Sequence, residues 1–171
     1  MRSMLIPLAV IVVLLANGCS SSFMPPQTYQ FDKERVYALT YGAVLKKVSS
    51  WFESKEIQIA RGDTVPGLLS ATYKLNPDQF NPEAEGYICD CGKPAVSMSE
   101  AQKIKYATAA ISVMVRIVDD QHTKVSMNIQ YQADLYLNEY GSETMGDSYL
   151  HKLECNSTGR LEKELLDYVG Q

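Results

Sequence analysis

From residue 111 to residue 137 the chain alternates apolar and polar positions with few breaks. Ile111, Val113, Val115 and Ile117 interleave with Ser112, Met114 and Arg116. After Asp119-Asp120-Gln121-His122 the pattern resumes as Val125, Met127, Ile129, Tyr131, Ala133, Leu135 and Leu137. Lys124, Ser126, Asn128, Gln130, Gln132 and Asp134 fill the other parity. A period of two puts the first set on one face of a strand and the second on the other. The segment therefore predicts a long antiparallel hairpin with one wet face. Parity also constrains the turn. For the apolar sets to share a face, the loop must hold an odd number of residues, either three (Asp120–His122) or five.

Elsewhere the period changes to that of a helix. Val36, Leu39, Ala43, Val44, Val48, Trp51 and Phe52 recur at helical spacing. With Asp32 as cap and Phe31 and Val36 as a hydrophobic staple, they predict a helix over about 33–54. Gly42 weakens it by ~1 kcal/mol relative to Ala. A strand is expected at 57–61, turn chemistry at Gly62–Gly67, and a second strand at 68–75. Asn76-Pro77 and Asn81-Pro82 punctuate a loop, Tyr87–Cys91 makes a short strand, and Gly92–Lys103 reads as a mobile connection. Asn138–Asp147 reads as a loop and Tyr149–Glu154 as a last strand. Ser157 or Thr158 then caps a closing helix with the stripe Leu161, Leu165 and Val169. Antiparallel strands between two helices predict an α+β fold, an antiparallel sheet with a long hairpin flanked on one face by both helices.

The first residues are of another kind. Arg2 precedes an apolar run from Met4 to Ala16, which is shorter than the roughly 20 residues a spanning helix needs. A positive start, a short apolar core and small residues after it make a secretion signal. Leu15-Ala16-Asn17-Gly18-Cys19 resembles the lipobox of bacterial lipoproteins, departing from it at Ala16, where Leu is commoner. The resemblance implies a signal over 1–18, cleavage before Cys19, and acylation of Cys19 as the membrane anchor. Ser20, rather than Asp, resembles the default outer-membrane sorting of that family. Residues 19–30, with Ser20-Ser21-Ser22 and Pro25-Pro26, read as a lipidated flexible tether, and 31–171 as one periplasmic domain.

Composition narrows the partners. Without Arg2, the 16 basic residues become 15 against 20 acidic ones, a net charge of −5. No basic patch interleaved with aromatics appears, so nucleic acid is not an expected partner. The 11 tyrosines are many for this length, and tyrosine suits both strands and interfaces.

Three cysteines, Cys89, Cys91 and Cys155, follow the lipobox, and an oxidising compartment favours disulfides. The preferred arrangement joins Cys89 or Cys91 to Cys155 and leaves one buried thiol. It closes a loop of more than about 60 residues, with an entropic gain near ~4 kcal/mol. A Cys89–Cys91 bridge remains open as an alternative and needs a bend, because in an extended strand the two lie about 6.6 Å apart. Thiol redox chemistry at Cys89-Asp90-Cys91-Gly92 is weaker, since Asp90 raises rather than lowers a thiol pKa. A Cys₃His metal site using His122 or His151 is weaker still on spacing. Asp119-Asp120 reads as turn chemistry. No catalytic motif, metal centre or cofactor site is expected, and the chain is not expected to be an enzyme.

The helix–hairpin–sheet–helix order over 31–168, and Ile57–Tyr73 as an exit from a helix into paired strands with Gly67-Leu68-Leu69-Ser70-Ala71-Thr72-Tyr73, resemble BamC-type small outer-membrane lipoprotein domains. That resemblance bears on the fold. The anchor, the tether, the small size and the lack of catalytic residues make the expected function that of a non-enzymatic structural or interaction component of a cell-envelope assembly, held at the membrane and bound to a protein partner. The expected contact surface is Lys124, Ser126, Asn128, Gln130, Gln132, Asp134, Tyr136 and Tyr140. The alternative is a small-molecule or lipid-binding module with an apolar pocket lined by Met114, Met127 and Tyr131.

Overall fold

The computed structural model describes residues 22–60, 66–96, 100–139 and 147–171. Strands β1 (Glu34–Tyr37), β2 (Leu68–Lys74), β3 (Cys89–Asp90), β4 (Glu100–Ile117), β5 (Thr123–Glu139) and β6 (Ser148–Ser157) form one antiparallel sheet. Its order is β2-β4-β5-β6-β3, and β1 shares the β5 edge with β6. Helices α1 (Tyr41–Ser54) and α2 (Arg160–Gly170) pack on one face of the sheet, so the expected α+β architecture is present.

The long hairpin is the spine. β4 and β5 pair from Glu100↔Glu139 to Ile117↔Thr123 across a five-residue turn, an odd number as parity requires. Within the turn the Val118 N–H donates to His122 O at 2.9 Å. Ile111, Val113, Val115, Val125, Met127, Tyr131 and Ala133 are buried under the helices. From α1 they meet Val44, Val48, Trp51 and Phe52, and from α2 Leu161, Leu165, Leu166 and Val169.

Several expectations change. The helix expected over 33–54 starts at Tyr41; residues 34–37 are strand. Arg35 and Tyr37 point towards α2, where Tyr37 Oη donates to Leu166 O at 2.6 Å, while Glu34 and Val36 face out. A period of two therefore underlies positions that also fit a period of 3.6, and Asp32 caps no helix. The strand expected at 57–61 is a single bridge, Ile59↔Ala71, and residues 61–65, with most of the following turn, lie outside the described residues. β4 begins at Glu100, where a connection over 92–103 was expected. A register shift between Ile104 and Tyr106 reverses the strand's parity, and the buried positions beyond it are Ala107 and Ala109, which give little hydrophobic signal. β6 runs on to Ser157.

The stretch expected as a flexible tether lies against the domain from Phe23 onward. Met24 and Lys93 exchange backbone hydrogen bonds of 3.0 and 2.9 Å. The Gln27 N–H and Tyr29 Oη donate to the Asp90 carboxylate, and Asn156 Nδ2 donates to Gln27 O. Asp90 and Asn156 are register partners across β3 and β6, so the strap is seated on that corner. Gly92 makes the close approach possible. At φ +79° it has no side chain, and a Cβ there would lie 2.3 Å from Met24 O.

Candidate functional site

Both helices cover one face of the sheet, and among the described residues no helix lies on the other, open face. The register places Lys124, Ser126, Asn128, Gln130, Gln132, Asp134 and Tyr136 along it, as their parity predicted. Asn128, Gln130 and Gln132 are exposed, and the others are half-buried. Across the strands the middle of this face is small and flat: Ser70, Ser112 and Asn128 form one row, and Thr72, Ala110 and Gln130 the next. At the turn end, Lys124 pairs with Glu34 at 2.7 Å. Tyr140 lies outside the described residues.

The open end of the hairpin is different. Two register shifts, at Ile104/Tyr106 in the β4–β5 ladder and at Leu135/Tyr136 in the β5–β6 ladder, put Tyr106, Tyr136 and Tyr149 on the same face. Their rings form a ladder of edge-to-face contacts. Tyr106 and Tyr136 are 6.2 Å apart at 79°, and Tyr136 and Tyr149 are 5.7 Å apart at 74°. Lys105 Nζ sits 5.5 Å from the Tyr106 ring and 5.3 Å from the Tyr136 ring, within cation–π range. Asp147 holds Lys103 at 2.7 Å and Lys105 at 3.3 Å. The hydrogen bond to Asp147 raises the Lys105 pKa, and that to Lys103 lowers the Asp147 pKa, so this cluster keeps its charges. Tyr106 and Tyr149 still expose 54% and 52% of their surface. Sequence reasoning found Tyr136 but missed Tyr106, Tyr149, Lys103 and Lys105, because the bulges that align them leave no periodic signal. The tyrosine count was the only hint.

The cysteines resolve one of the open pairings. Cys91 and Cys155 form the disulfide, with Cα atoms 4.2 Å apart and a separation of 64 in sequence. Cys89 is the buried free thiol. Burial, with the Asp90 charge beside it, pushes this thiol up to about 12, which leaves it protonated and unreactive. The Cys89–Cys91 bridge and the Cys₃His arrangement are both incompatible with this pairing. His122 instead bonds through Nδ1 to Asp119, whose carboxylate also accepts the Gln121 and His122 N–H groups. These bonds hold the Asp119 carboxyl below the ordinary range, as expected of a turn residue.

The apolar pocket lined by Met114, Met127 and Tyr131 is not formed. Met127 and Tyr131 are buried in the core, whereas Met114 pairs with Ser126 on the open face. A cleft of about 600 Å³ lies elsewhere, between the end of α1, the 76–88 segment and the start of α2. Its walls include Lys55, Asp78, Glu85, Arg160 and Glu164, so it is polar and of mixed charge. Among the described residues, no helix is long and apolar enough to cross a membrane. No protein-family model matches the chain, and neither does any curated protein.

Proposed function

We propose that this chain is a lipid-anchored envelope protein, facing the periplasm from the outer membrane, whose open sheet face docks a protein partner. The observation that carries the reading is the Tyr106–Tyr136–Tyr149 ladder, exposed on a sheet face that no helix among the described residues covers. Tyrosine gives large contact area for little lost rotamer freedom, and tyrosines clustered at the centre of an interface carry much of its binding energy. The lipobox-like Leu15–Cys19 supports the anchor, with Cys19 as the acylated residue. The buried Cys89 thiol argues against a thiol redox role, since its raised pKa removes the nucleophile. The polar cleft between α1 and α2 is the seat of the alternative, a small polar ligand.

The test is site-specific photocrosslinking in cells, from Gln130 and Asn128 on the open face and from Lys46 on the exposed side of α1. A crosslinked partner specific to the open face, lost in a Tyr106→Ala/Tyr136→Ala variant of unchanged melting temperature, is the expected result. The same adducts from all three positions, or adducts indifferent to the tyrosines, would remove this surface from the proposal.

A further inference from the structure

We infer that the edge carrying Met24, Lys93 and Val96 rests on the phospholipid surface that holds the anchor, with the turn Val118–His122 as the membrane-distal pole. The inference depends on the acylated Cys19 of the preceding reading, and on where the strap leaves the domain. Met24 is fixed to Lys93 by two backbone hydrogen bonds, and Gln27 is held by Asp90 and Asn156. Met24 is five residue steps from Cys19, and a fully extended chain spans at most ~17 Å over them. A headgroup layer accounts for roughly 5–8 Å of that, being half the difference between total and hydrocarbon thickness. Met24 therefore stands within about 10 Å of the bilayer surface, whatever path the intervening residues take. A tether free from 19 to 30 would instead let the domain drift ~40 Å away.

Topology then gives the direction. β5 runs from the turn to the open end of the hairpin, β6 is antiparallel to β5, and β3 is antiparallel to β6. β3 and the residues after it therefore run towards the open end. The strap pairs antiparallel with them at Met24↔Lys93, so traced towards its N-terminus it heads the same way. The strap thus leaves Lys93 heading away from the Asp119–His122 turn. β4, with 18 residues, spans ~60 Å along that axis. Exposed apolar side chains alone do not choose the pole, since Ile117 and Val118 at the turn are 66% and 55% exposed. They do fit the choice made by the strap. Met24 and Val96 are 48% and 46% exposed at its exit, on either side of Lys93, whose stem can lie along lipid while its ammonium reaches a phosphate. On this geometry the tyrosine ladder lies in the membrane-proximal part of the open face.

The full acylated chain, reconstituted in vesicles of phosphatidylethanolamine and phosphatidylglycerol with a headgroup nitroxide lipid, tests this. An environment-sensitive fluorophore is placed at Val96→Cys or at Gln121→Cys. Loss of most emission at position 96, with position 121 unchanged, is the expected result. Inserting a Gly-Ser stretch between Ser21 and Ser22 should restore much of the emission at 96. Equal quenching at both positions, or none at 96, overturns the orientation. Intact mass of the same preparation separates the two readings: an unacylated chain removes the anchor and the orientation together, and an acylated chain unquenched at 96 removes the orientation alone.

Discussion

The ring of Phe31 occupies the space where a side chain on Gly159 would stand. Gly159 precedes α2 with φ +82°, and a Cβ built on it would lie 2.3 Å from Phe31 Cγ and 2.6 Å from Phe31 Cβ. The chain entering the domain is thus packed against the start of its last helix. Gly159→Ala should cost about 1–3 kcal/mol, through overpacking together with left-handed strain. Phe31→Ala takes the ring out of the clash, leaving only its Cβ at 2.6 Å, and loses part of the packing, so the double variant should lose less than the two single variants added together. Urea denaturation of all three checks the cycle, and strict additivity would mean the two residues do not meet.

Legibility followed the strength of periodic signals. The hairpin read correctly from Ile111 to Leu137 because large β-branched and aliphatic residues alternate there over its whole length. The same strand was lost before Ile111. There the buried positions Ala107 and Ala109 are too small to mark a face, and the bulge near Lys105 reverses parity. The start of α1 was misplaced because Val36 and Leu39 fit a helical stripe, although β1 is fixed by Arg35 and Tyr37 reaching α2. Those contacts are 129 and more residues away in sequence, where no local pattern records them. Ser157 or Thr158 was expected to cap the closing helix, but the cap is Gly159, with no side-chain cap bond; Ser157 Oγ accepts the Gly159 N–H and donates to Glu162 Oε2 instead. The tyrosine ladder was legible only in Tyr136.

The end of α1 carries a strained residue that can be relieved. The Ile57 N–H donates to Phe52 O and the Glu56 N–H to Glu53 O, the bonding of a Schellman motif, with Phe52 and Ile57 both buried. Its left-handed position, φ +56°, is held by Glu56 rather than by glycine. Glu56→Gly should raise stability by about 0.5–1 kcal/mol, with the relieved strain exceeding the added entropy of the unfolded chain. Glu56→Ala keeps the strain and should show no such gain. Thermal melts of the two variants side by side make the comparison.

The Cys91–Cys155 bond joins the corner on which the strap is seated. Cys91→Ala/Cys155→Ala should cost about 2–5 kcal/mol, as for native bridges in small exported domains. It should also speed amide exchange at Met24, whose N–H depends on Lys93 nearby. The remaining thiol, Cys89, is fully buried and held near 12, so it should resist alkylation in the folded protein and react once guanidinium unfolds it without reductant. Iodoacetamide mass shifts under the two conditions, with Cys19 counted separately, decide the point. Rapid labelling of the native chain would contradict the buried position.

Glu162 should set a pH dependence of opposite sign to that of the surface carboxylates. It is 1% exposed at the start of α2, and burial raises its pKa despite the hydrogen bond from Ser157. The folded state therefore keeps a proton that the unfolded chain has already released, and stability falls as pH rises from the ordinary carboxylate range through the raised folded value. Asp119, Asp147 and Asp167 are shifted down, so they contribute stability above that range and lose it in acid. Their effects overlap in the wild-type curve, but a substitution at Glu162 separates them. Glu162→Gln keeps an acceptor for Ser157 and removes the titration. Its melting temperature relative to wild type should therefore climb as pH rises from 4 to 8 and level off below the carboxylate range. A difference that stays constant across that interval would show that Glu162 is equally ionised in the folded and unfolded chains.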